Sequence, residues 1–226
     1  MGGIWVSDTN NRSRPSQKEG TYDLQSAYDA KDSQEAAELY DSWAEDYEQS
    51  IASWGYTTPA VAAGLFGRYV KQTDGVVFDA GAGTGITGEI LTLLGYEDLV
   101  GIDISYKMLE LARKKGVYKE LHQMELGGQL DFPSEAFAAV VATGVFAAGH
   151  APPESFEELI RITRAGGYMI FSVRTDVYED GGFKEKQEAL EREERKWRLV
   201  DMTDPFAHLR FEDPELKVQV FAYQVR

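Results

Sequence analysis

Apolar residues recur along this chain with two different spacings, and together these spacings predict an α/β fold. From Gly75 onward, short continuous apolar runs alternate with segments in which apolar residues return every three or four positions. The runs are typical of strands covered on both faces, and the second spacing is typical of amphipathic helices. The predicted strands are 76–80, 99–103, 119–125, 138–143, 168–174, 197–203 and 217–226, and the predicted helices among the first five strands are 87–94, 105–115 and 153–164.

The connections between these elements indicate the fold class. Strands that alternate with helices favour right-handed crossovers between parallel strands, and therefore a Rossmann-like, doubly wound α/β sheet. The last two strands are separated only by PFAHLRFEDPEL, which holds no helical pattern. We expect them to pair antiparallel, so the sequence predicts a mostly parallel seven-stranded sheet with an antiparallel terminal strand.

The first third of the chain differs from this alternating core. Residues 1–34 are rich in polar residues and glycine, which predicts a disordered arm. Residues 35–72 are predicted to be helical, with a first amphipathic helix and a second helix after Pro59. The apolar stripe of the first helix is Ala36, Tyr40, Trp43, Ala44, Tyr47 and Ile51.

Near the other end of the chain, residues 184–196 predict another, solvated helix, whose apolar side consists of Phe183, Leu190 and Trp197.

A glycine-rich loop follows the first predicted strand. Residues 79–85 read DAGAGTG and precede a helix, so the backbone can turn sharply and present unpaired N–H groups to a ligand. Asp103 ends the next strand, about 20 residues further on, where such folds place an acceptor for ribose hydroxyls. A nucleoside ligand is therefore expected, and Asp103 alone does not distinguish NAD from S-adenosylmethionine.

Two registers of the loop distinguish these two ligands. Residues 83–88 match the G-x-G-x-x-G pattern of NAD-binding folds, but in that register Asp79 would lie unpaired inside the strand. The register that begins at Gly81 instead puts Asp79 at the carboxyl tip of the strand, facing a cationic group of the ligand. This second register favours S-adenosylmethionine.

Composition narrows the classes of partner. The chain has 38 acidic and 23 basic residues, a net charge of −15, which disfavours nucleic acid and anionic membranes as partners. It contains no cysteine, so it has no disulfide, thiolate nucleophile or thiolate metal site. No H-E-x-x-H or comparable motif is present, and we predict no metal. No apolar run approaches the length needed to cross a bilayer, and we expect a cytoplasmic protein.

Three motifs in order resemble those of a known superfamily. VVFDAGAGTGITGEIL, GIDIS followed by Met108, and TRAGGYMIFSVRT are similar to the successive motifs of the class I S-adenosylmethionine-dependent methyltransferases. The segments YDSWAEDYEQ, GVFAAGHAPP and SVRTDVYEDGGFKEK resemble small-molecule methyltransferases related to the methyltransferase-like protein of the Williams-Beuren region. The resemblance covers residues 36–226. It implies a single methyltransferase domain over 35–226, with a helical lid at 35–72 and a Rossmann-like core at 73–226.

The resemblance also implies a cofactor, S-adenosyl-L-methionine, and residues that bind it. Asp79 and the glycines hold the methionine end, Asp103 takes the ribose hydroxyls, and Thr143 lies beside the sulfonium. Residues 137–138 read Phe–Ala where the family commonly has Phe–Asp, so a contact of that aspartate is absent. The implied cofactor-binding residues are Asp79, Gly81, Gly83, Thr84, Gly85, Asp103, Ile104, Met108, Glu125, Leu126, Thr143 and Tyr47.

Candidates for catalysis and acceptor binding lie after the fourth and fifth strands and on the first helix. Methyl transfer depends on alignment, and a base is needed only when the acceptor loses a proton. His150 is the candidate base, with a structural hydrogen bond as the alternative, whereas His122 and His208 are expected to be structural. Tyr40 can offer a π-face to the sulfonium. The candidate acceptor-binding residues are Trp54, Tyr56, Arg174, Asp176 and Tyr178, and the alternative for Arg174 is an ion pair with a nearby acid.

These observations favour one function and leave two others open. The leading hypothesis is transfer of a methyl group from S-adenosylmethionine to a small molecule by in-line displacement. Because a fold does not fix its chemistry, a second hypothesis is a protein that binds S-adenosylmethionine without methyl transfer, as a cyclase or a regulatory binder. A third is an NAD-dependent oxidoreductase.

Overall fold

The computed structural model describes residues 33–147 and 149–226. The predicted disordered arm therefore lies outside the described residues, except for Ser33 and Gln34, which begin the first described helix. That helix, α1, spans Ser33–Trp54 and is followed by α2 at Thr58–Tyr69. Two helices over 35–72 thus match the predicted helical segment.

One sheet forms the centre of the described structure and confirms the predicted Rossmann-like α/β fold. Its spatial order is β3-β2-β1-β4-β5-β8-β6, and β7 also pairs with β8. The first five strands pair in parallel, and β8 is antiparallel to β5, β6 and β7. The strands are β1 Val77–Ala80, β2 Leu99–Asp103, β3 Glu120–Gln123, β4 Phe137–Phe146, β5 Thr163–Arg174, β6 Trp197–Met202, β7 Phe206–Leu209 and β8 Asp213–Val225.

The carboxyl-terminal part holds one strand more than the sequence predicts. β6 and β8 pair antiparallel as expected, with Trp197 opposite Val225. The additional strand, β7, has only four residues and pairs with the amino-terminal half of β8, which begins at Asp213. Four residues are too few to show the alternation typical of a strand, so the sequence does not predict β7. Its formation depends on pairing with the longer β8.

The helices cover both faces of the sheet. The apolar side predicted for 184–196 is buried, since Phe183, Leu190 and Trp197 are all at most 3% exposed. The helix itself ends earlier than predicted, in a π-helical turn at Ala189–Glu193, because Trp197 begins β6. The helices after α2 are α3 Ile86–Leu93, α4 Tyr106–Lys115, α5 Ser155–Ile162, α6 Thr175–Tyr178 and α7 Phe183–Glu188.

Two hydrophobic clusters lie on opposite faces of the sheet. Val77 and Phe78 are neighbours in β1 but belong to different clusters, because successive side chains of a strand point to opposite faces. Phe78 packs with Phe156 of α5, and Val77 packs with Phe66 of α2. With both faces covered, the carboxyl edge of the parallel strands is where such folds bind ligands.

Candidate active site

The glycine loop turns immediately after β1. Gly81, Gly83 and Gly85 have φ values of 85°, 54° and 90°, which only glycine adopts without strain. The N–H groups of Gly81 and Ala82 donate to the carbonyl of Ile102 at 3.0 and 2.8 Å. A Cβ atom on Gly81 would lie 2.8 Å from Val145, so a side chain does not fit there. The turn therefore starts at Gly81, as in the register expected for S-adenosylmethionine, but Asp79 lies buried inside β1, as the NAD register would place it.

Asp103 connects the glycine loop to the start of α4. Its Oδ2 accepts the N–H of Gly83 at 2.8 Å, and its Oδ1 accepts the N–H of Ser105 at 2.8 Å. Burial raises the pKa of Asp103, and these backbone donors oppose that effect. Each carboxylate oxygen has a second lone pair, so Asp103 can still accept ribose hydroxyls.

A cavity of about 260 Å³ opens at the carboxyl ends of the parallel strands. Nine of the predicted cofactor-binding residues line it, together with both predicted catalytic residues, Tyr40 and His150. Sequence reasoning missed Met124 and Val145, which also line it, whereas the family resemblance places Gly144 beside the sulfonium with Thr143, and Gly144 lines the cavity too. The nine are Gly81, Gly83, Asp103, Ile104, Met108, Glu125, Leu126, Thr143 and Tyr47.

Three predicted cofactor-binding residues, Asp79, Thr84 and Gly85, do not line this cavity. Asp79 is fully buried instead of facing the ligand space, because its Oδ2 accepts the hydroxyl of Tyr118 at 2.6 Å. Thr84 is buried in the loop, and the Cα of Gly85 faces the Tyr118 ring and Ala112. Asp79 therefore lies near the end of β1 without lining the cavity, and its contact with a cationic group of the cofactor stays a prediction.

The environment of Asp79 is unusual for a carboxyl group. Its Oδ1 has no hydrogen-bond partner in the described structure, and burial raises the pKa of Asp79 to about 7. The Tyr118 ring packs against the first turn of α3 so closely that a Cβ on Gly88 would overlap it. Tyr118 lies 39 positions from Asp79. No sequence signal connects the two residues.

Helix α1 forms one wall of the cavity. The hydroxyl of Tyr40 lies 2.7 Å from Nε2 of His150, which follows β4 on the opposite wall. Tyr47 lies edge-on to Tyr40, with ring centroids 6.2 Å apart, and both rings line the cavity. The lid predicted for residues 35–72 corresponds in position to this wall.

A smaller cavity of about 50 Å³ adjoins the first. Both cavities are lined by Tyr40, Tyr47, Gly144 and His150, so the Tyr40–His150 contact lies where they meet. Three of the five predicted acceptor-binding residues line the smaller cavity, namely Trp54, Tyr56 and Arg174. Among the predicted residues, Trp54, Tyr56 and Arg174 therefore line the smaller cavity alone, whereas the cofactor candidate Tyr47 lines both.

The remaining two acceptor candidates, Asp176 and Tyr178, line neither cavity. Asp176 accepts from Nε and Nη2 of Arg174 at 3.0 and 2.5 Å, so the ion pair considered for Arg174 is present. Tyr178 stacks on Phe221 at 5.3 Å and packs against the core. A position just after a strand end does not determine the direction of a side chain, and acceptor binding by Asp176 and Tyr178 stays a prediction without a cavity beside them.

His208, which the sequence predicts to be structural, also lines the smaller cavity. Its Nδ1 lies 3.0 Å from the hydroxyl of Thr58, and its ring is edge-on to Tyr56 at 5.1 Å. Burial and the charge of Arg174 lower the pKa of His208 to about 4, so it is neutral at pH 7. His122, by contrast, pairs with Glu120 and lines neither cavity.

The described residues contain neither a metal-binding cluster nor a helix able to cross a membrane. No group of three or more His, Asp or Glu side chains with metal-binding geometry occurs among residues 33–147 and 149–226. Within the same ranges, every helix is too short or too polar to cross a membrane.

Comparison with known proteins identifies the family. The methyltransferase domain family matches residues 78–171, from β1 to β5. Human Methyltransferase-like protein 27 is 31% identical over 156 residues, which are 68% of this chain and 63% of that protein. The chain belongs to the class I S-adenosylmethionine-dependent methyltransferases. The predicted family is thus confirmed, and with it the cofactor of that family, S-adenosyl-L-methionine.

The chain is also similar to a second curated enzyme and to a solved structure. Phosphatidylethanolamine N-methyltransferase of Cereibacter sphaeroides is 37% identical over 109 residues, which are 45% of this chain and 52% of that enzyme. The structure of the [4+2]-cyclase SpnF superposes with a TM-score of 0.65 at 15% identity, covering 87% of this chain and 97% of that one. The latter likeness shows the fold alone. The chain spans between half and two thirds of the length of Methyltransferase-like protein 27 and of Phosphatidylethanolamine N-methyltransferase.

The residues of the larger cavity fit S-adenosylmethionine. The carboxylates of Asp103 and Glu125 can accept from hydroxyl and amino groups, and Ile104 and Met108 supply apolar surface for a base. Tyr40 and Tyr47 present aromatic rings to the same space, and aromatic faces attract cations such as a sulfonium. The chemistry of this set matches a ligand with a ribose, a base and a positive charge.

Proposed function

We propose that this protein transfers the methyl group of S-adenosylmethionine to a small-molecule acceptor. The observation that carries the proposal is the pair of adjoining cavities, one lined by the cofactor residues and the other by aromatic side chains. Tyr40 and His150 line both, where a methyl donor and an acceptor would meet. The net charge of −15 supports a small molecule over nucleic acid as acceptor.

The larger cavity would hold the cofactor through residues of three elements. When bound, S-adenosylmethionine supplies an electrophilic methyl group on a sulfonium. Asp103 at the end of β2 would accept the ribose hydroxyls, Glu125 would accept a hydrogen bond from the adenine amino group, and Thr143 of β4 would line the sulfonium end of the site. Tyr47 of α1 gives its ring face to the positive charge.

The smaller cavity favours an acceptor with a planar apolar body. Trp43, Trp54 and Tyr56 supply aromatic walls, and Arg174 supplies a buried guanidinium that is paired with Asp176, whose carboxylate lies outside the cavity. No carboxylate is among the described residues that line it, and His208 is neutral at pH 7. A neutral or anionic acceptor therefore suits this cavity better than an ammonium, whose charge would lack a counter-ion.

Tyr40 and His150 are the proposed catalytic residues. Most of the rate enhancement would come from holding the acceptor atom in line with the methyl group, which requires a rigid boundary between the cavities. The 2.7 Å contact between the two side chains supplies such a boundary. An acceptor that loses a proton on methylation would pass it to the imidazole of His150, acting as a general base.

A second candidate function is binding of S-adenosylmethionine without methyl transfer. The likeness to the structure of the [4+2]-cyclase SpnF supports it, because that protein shares the fold and is named for a cyclisation. The same two cavities could hold an unconsumed cofactor beside a substrate that rearranges.

Incubation of the full chain with methyl-labelled S-adenosylmethionine and a mixture of small metabolites separates these functions. Methyl transfer predicts a labelled product and S-adenosylhomocysteine in a one-to-one ratio, with planar neutral or anionic acceptors favoured. A cyclase predicts a new product while the cofactor stays intact. Absence of any S-adenosylhomocysteine above the level of a protein-free control would contradict methyl transfer.

A further inference from the structure

Helix α1 is held against α4 at both ends of that helix. At the amino end of α4, Oδ1 of Asp41 accepts the hydroxyl of Ser105 at 2.6 Å and the N–H of Lys107 at 3.0 Å. At the carboxyl end, Glu48 pairs with Lys115 at 2.7 Å. Two acidic residues of α1 therefore connect it to the same helix, but only one of them contacts the buried Ser105.

Ser105 extends the Asp41 contact into the cofactor site. Its hydroxyl oxygen also accepts the N–H of Met108 at 3.1 Å, so it caps α4 while it donates to Asp41. Its own N–H donates to Oδ1 of Asp103, whose Oδ2 accepts from Gly83. An unbroken series of hydrogen bonds thus runs from α1 through Ser105 and Asp103 to the glycine loop.

The neighbouring residue on α1 contacts the other wall of the cavity. Tyr40 reaches His150, and Asp41 reaches the start of α4, so consecutive residues bind opposite sides of the site. Consecutive helical side chains diverge by about 100°, which suits such a span. The position of Tyr40 over the cavity therefore depends on the anchoring of α1 at Asp41.

The Asp41 contact also has an electrostatic cost. Burial is the main cause of the raised pKa of Asp103, and the negative charge of Asp41 raises it further. Two carboxylates would not approach one another without shared donors, and Ser105 donates to both, through its hydroxyl and its N–H. A ligand hydroxyl at Asp103 would add another donor to this pair.

We propose that Asp41 is a positioning residue that ties α1 to the ribose acceptor Asp103 through Ser105. The inference rests on the proposed S-adenosylmethionine site. While the contact is formed, α1 covers the cavity and Asp103 is held in place for the ribose. Release of the cofactor requires the contact to break, so Asp41 controls how long the cofactor stays bound.

The dissociation rate of S-adenosylhomocysteine from the full chain tests this role, measured by stopped-flow fluorescence. Asp41→Ala is compared with Glu48→Ala, which removes an acid of α1 that faces α4 without touching Ser105. We expect the rate to rise at least about tenfold in Asp41→Ala, as for loss of charge-assisted hydrogen bonds, and less than about twofold in Glu48→Ala. Steady-state assays should show a raised KM for S-adenosylmethionine with a smaller change in kcat.

A double-mutant cycle tests the route through Ser105. Ser105→Ala should also speed dissociation, and the double variant should be no faster than the faster single variant, because both act on one series of contacts. If Asp41→Ala does not fold by circular dichroism, Asp41→Asn against Glu48→Gln replaces the pair, with an expected difference of at least about threefold. Equal rates within a pair, or fully additive effects, would overturn the proposal. Failure of the unmodified chain to bind S-adenosylhomocysteine would instead overturn the proposed function.

Discussion

Replacement of Asp79 by asparagine should stabilise the protein, and more so at higher pH. Asp79 is fully buried, its Oδ1 is unpaired, and its pKa is raised to about 7. An aspartate in the unfolded chain has a pKa of about 3.9. Because the folded value is the higher one, the folded state holds its proton more tightly. Its contribution to stability is therefore complete below about pH 4 and is lost as the pH rises to about 7.

The size of this effect follows from the difference between the two pKa values. About three units correspond to about 4 kcal/mol at pH 8, and about 1.5 kcal/mol of this is already lost at pH 5. Asparagine cannot ionise, and its side-chain oxygen can still accept the hydroxyl of Tyr118. Asp79→Asn should therefore exceed the unmodified protein in free energy of unfolding by up to about 4 kcal/mol at pH 8, and by less at pH 5.

Urea unfolding of the cofactor-free protein at pH 5 and pH 8 measures this difference. Asp204→Asn, at an exposed position, serves as the control for loss of a carboxylate and should change little at either pH. An advantage of Asp79→Asn that is equal at both pH values, or larger at pH 5, would refute the reasoning. The carboxyl group of Asp79 would then be paired when ionised.

Three further substitutions test the site. Asp103→Ala should weaken S-adenosylmethionine binding about tenfold or more, since an unpaired ribose hydroxyl costs about 1–3 kcal/mol. Calorimetry measures this affinity, and Asp131→Ala, at an exposed position, is the control. An affinity of Asp103→Ala equal to that of the control would refute the ribose assignment. His150→Ala should lose turnover with little change in cofactor affinity, and His122→Ala should keep both; full turnover of His150→Ala would leave it a structural role. His208 has a pKa lowered to about 4, so its contribution to stability is complete above about pH 6.5 and is lost as the pH falls toward 4, by about 3 kcal/mol. His208→Gln should therefore lose less stability than the unmodified protein between pH 7 and pH 4.5, and an equal loss would contradict this.

The features that the sequence predicted correctly are those whose signal is local. Residues close together in the chain determine the glycine loop, the position of Asp103 at the end of β2, and the succession of strands and helices along the chain. Strand termini in such a sheet meet at one edge, so Gly81, Thr143 and Asp103 could be expected to share a cavity. His150 was expected there for the same reason, and it lies there.

The features that the sequence did not reveal depend on contacts between distant segments. The hydroxyl of Tyr118 donates to Asp79, which does not line the larger cavity. The pairing of β7 with β8 places His208 beside the smaller cavity. The sequence shows Asp41 only as one of the polar positions of an amphipathic helix, because nothing local indicates its contact with Ser105. Such contacts are set by packing, which no short motif encodes.

Calorimetric titration of the full chain with S-adenosylmethionine, S-adenosylhomocysteine and NADH tests most directly whether the cavity beneath α1 is a methyl-donor site. We predict binding of both S-adenosyl compounds at one site per chain and no binding of NADH. We also predict that Asp103→Ala weakens the binding of both S-adenosyl compounds. Measurable binding of NADH with no binding of S-adenosylmethionine would contradict the assignment of the cavity and the proposed methyl transfer with it.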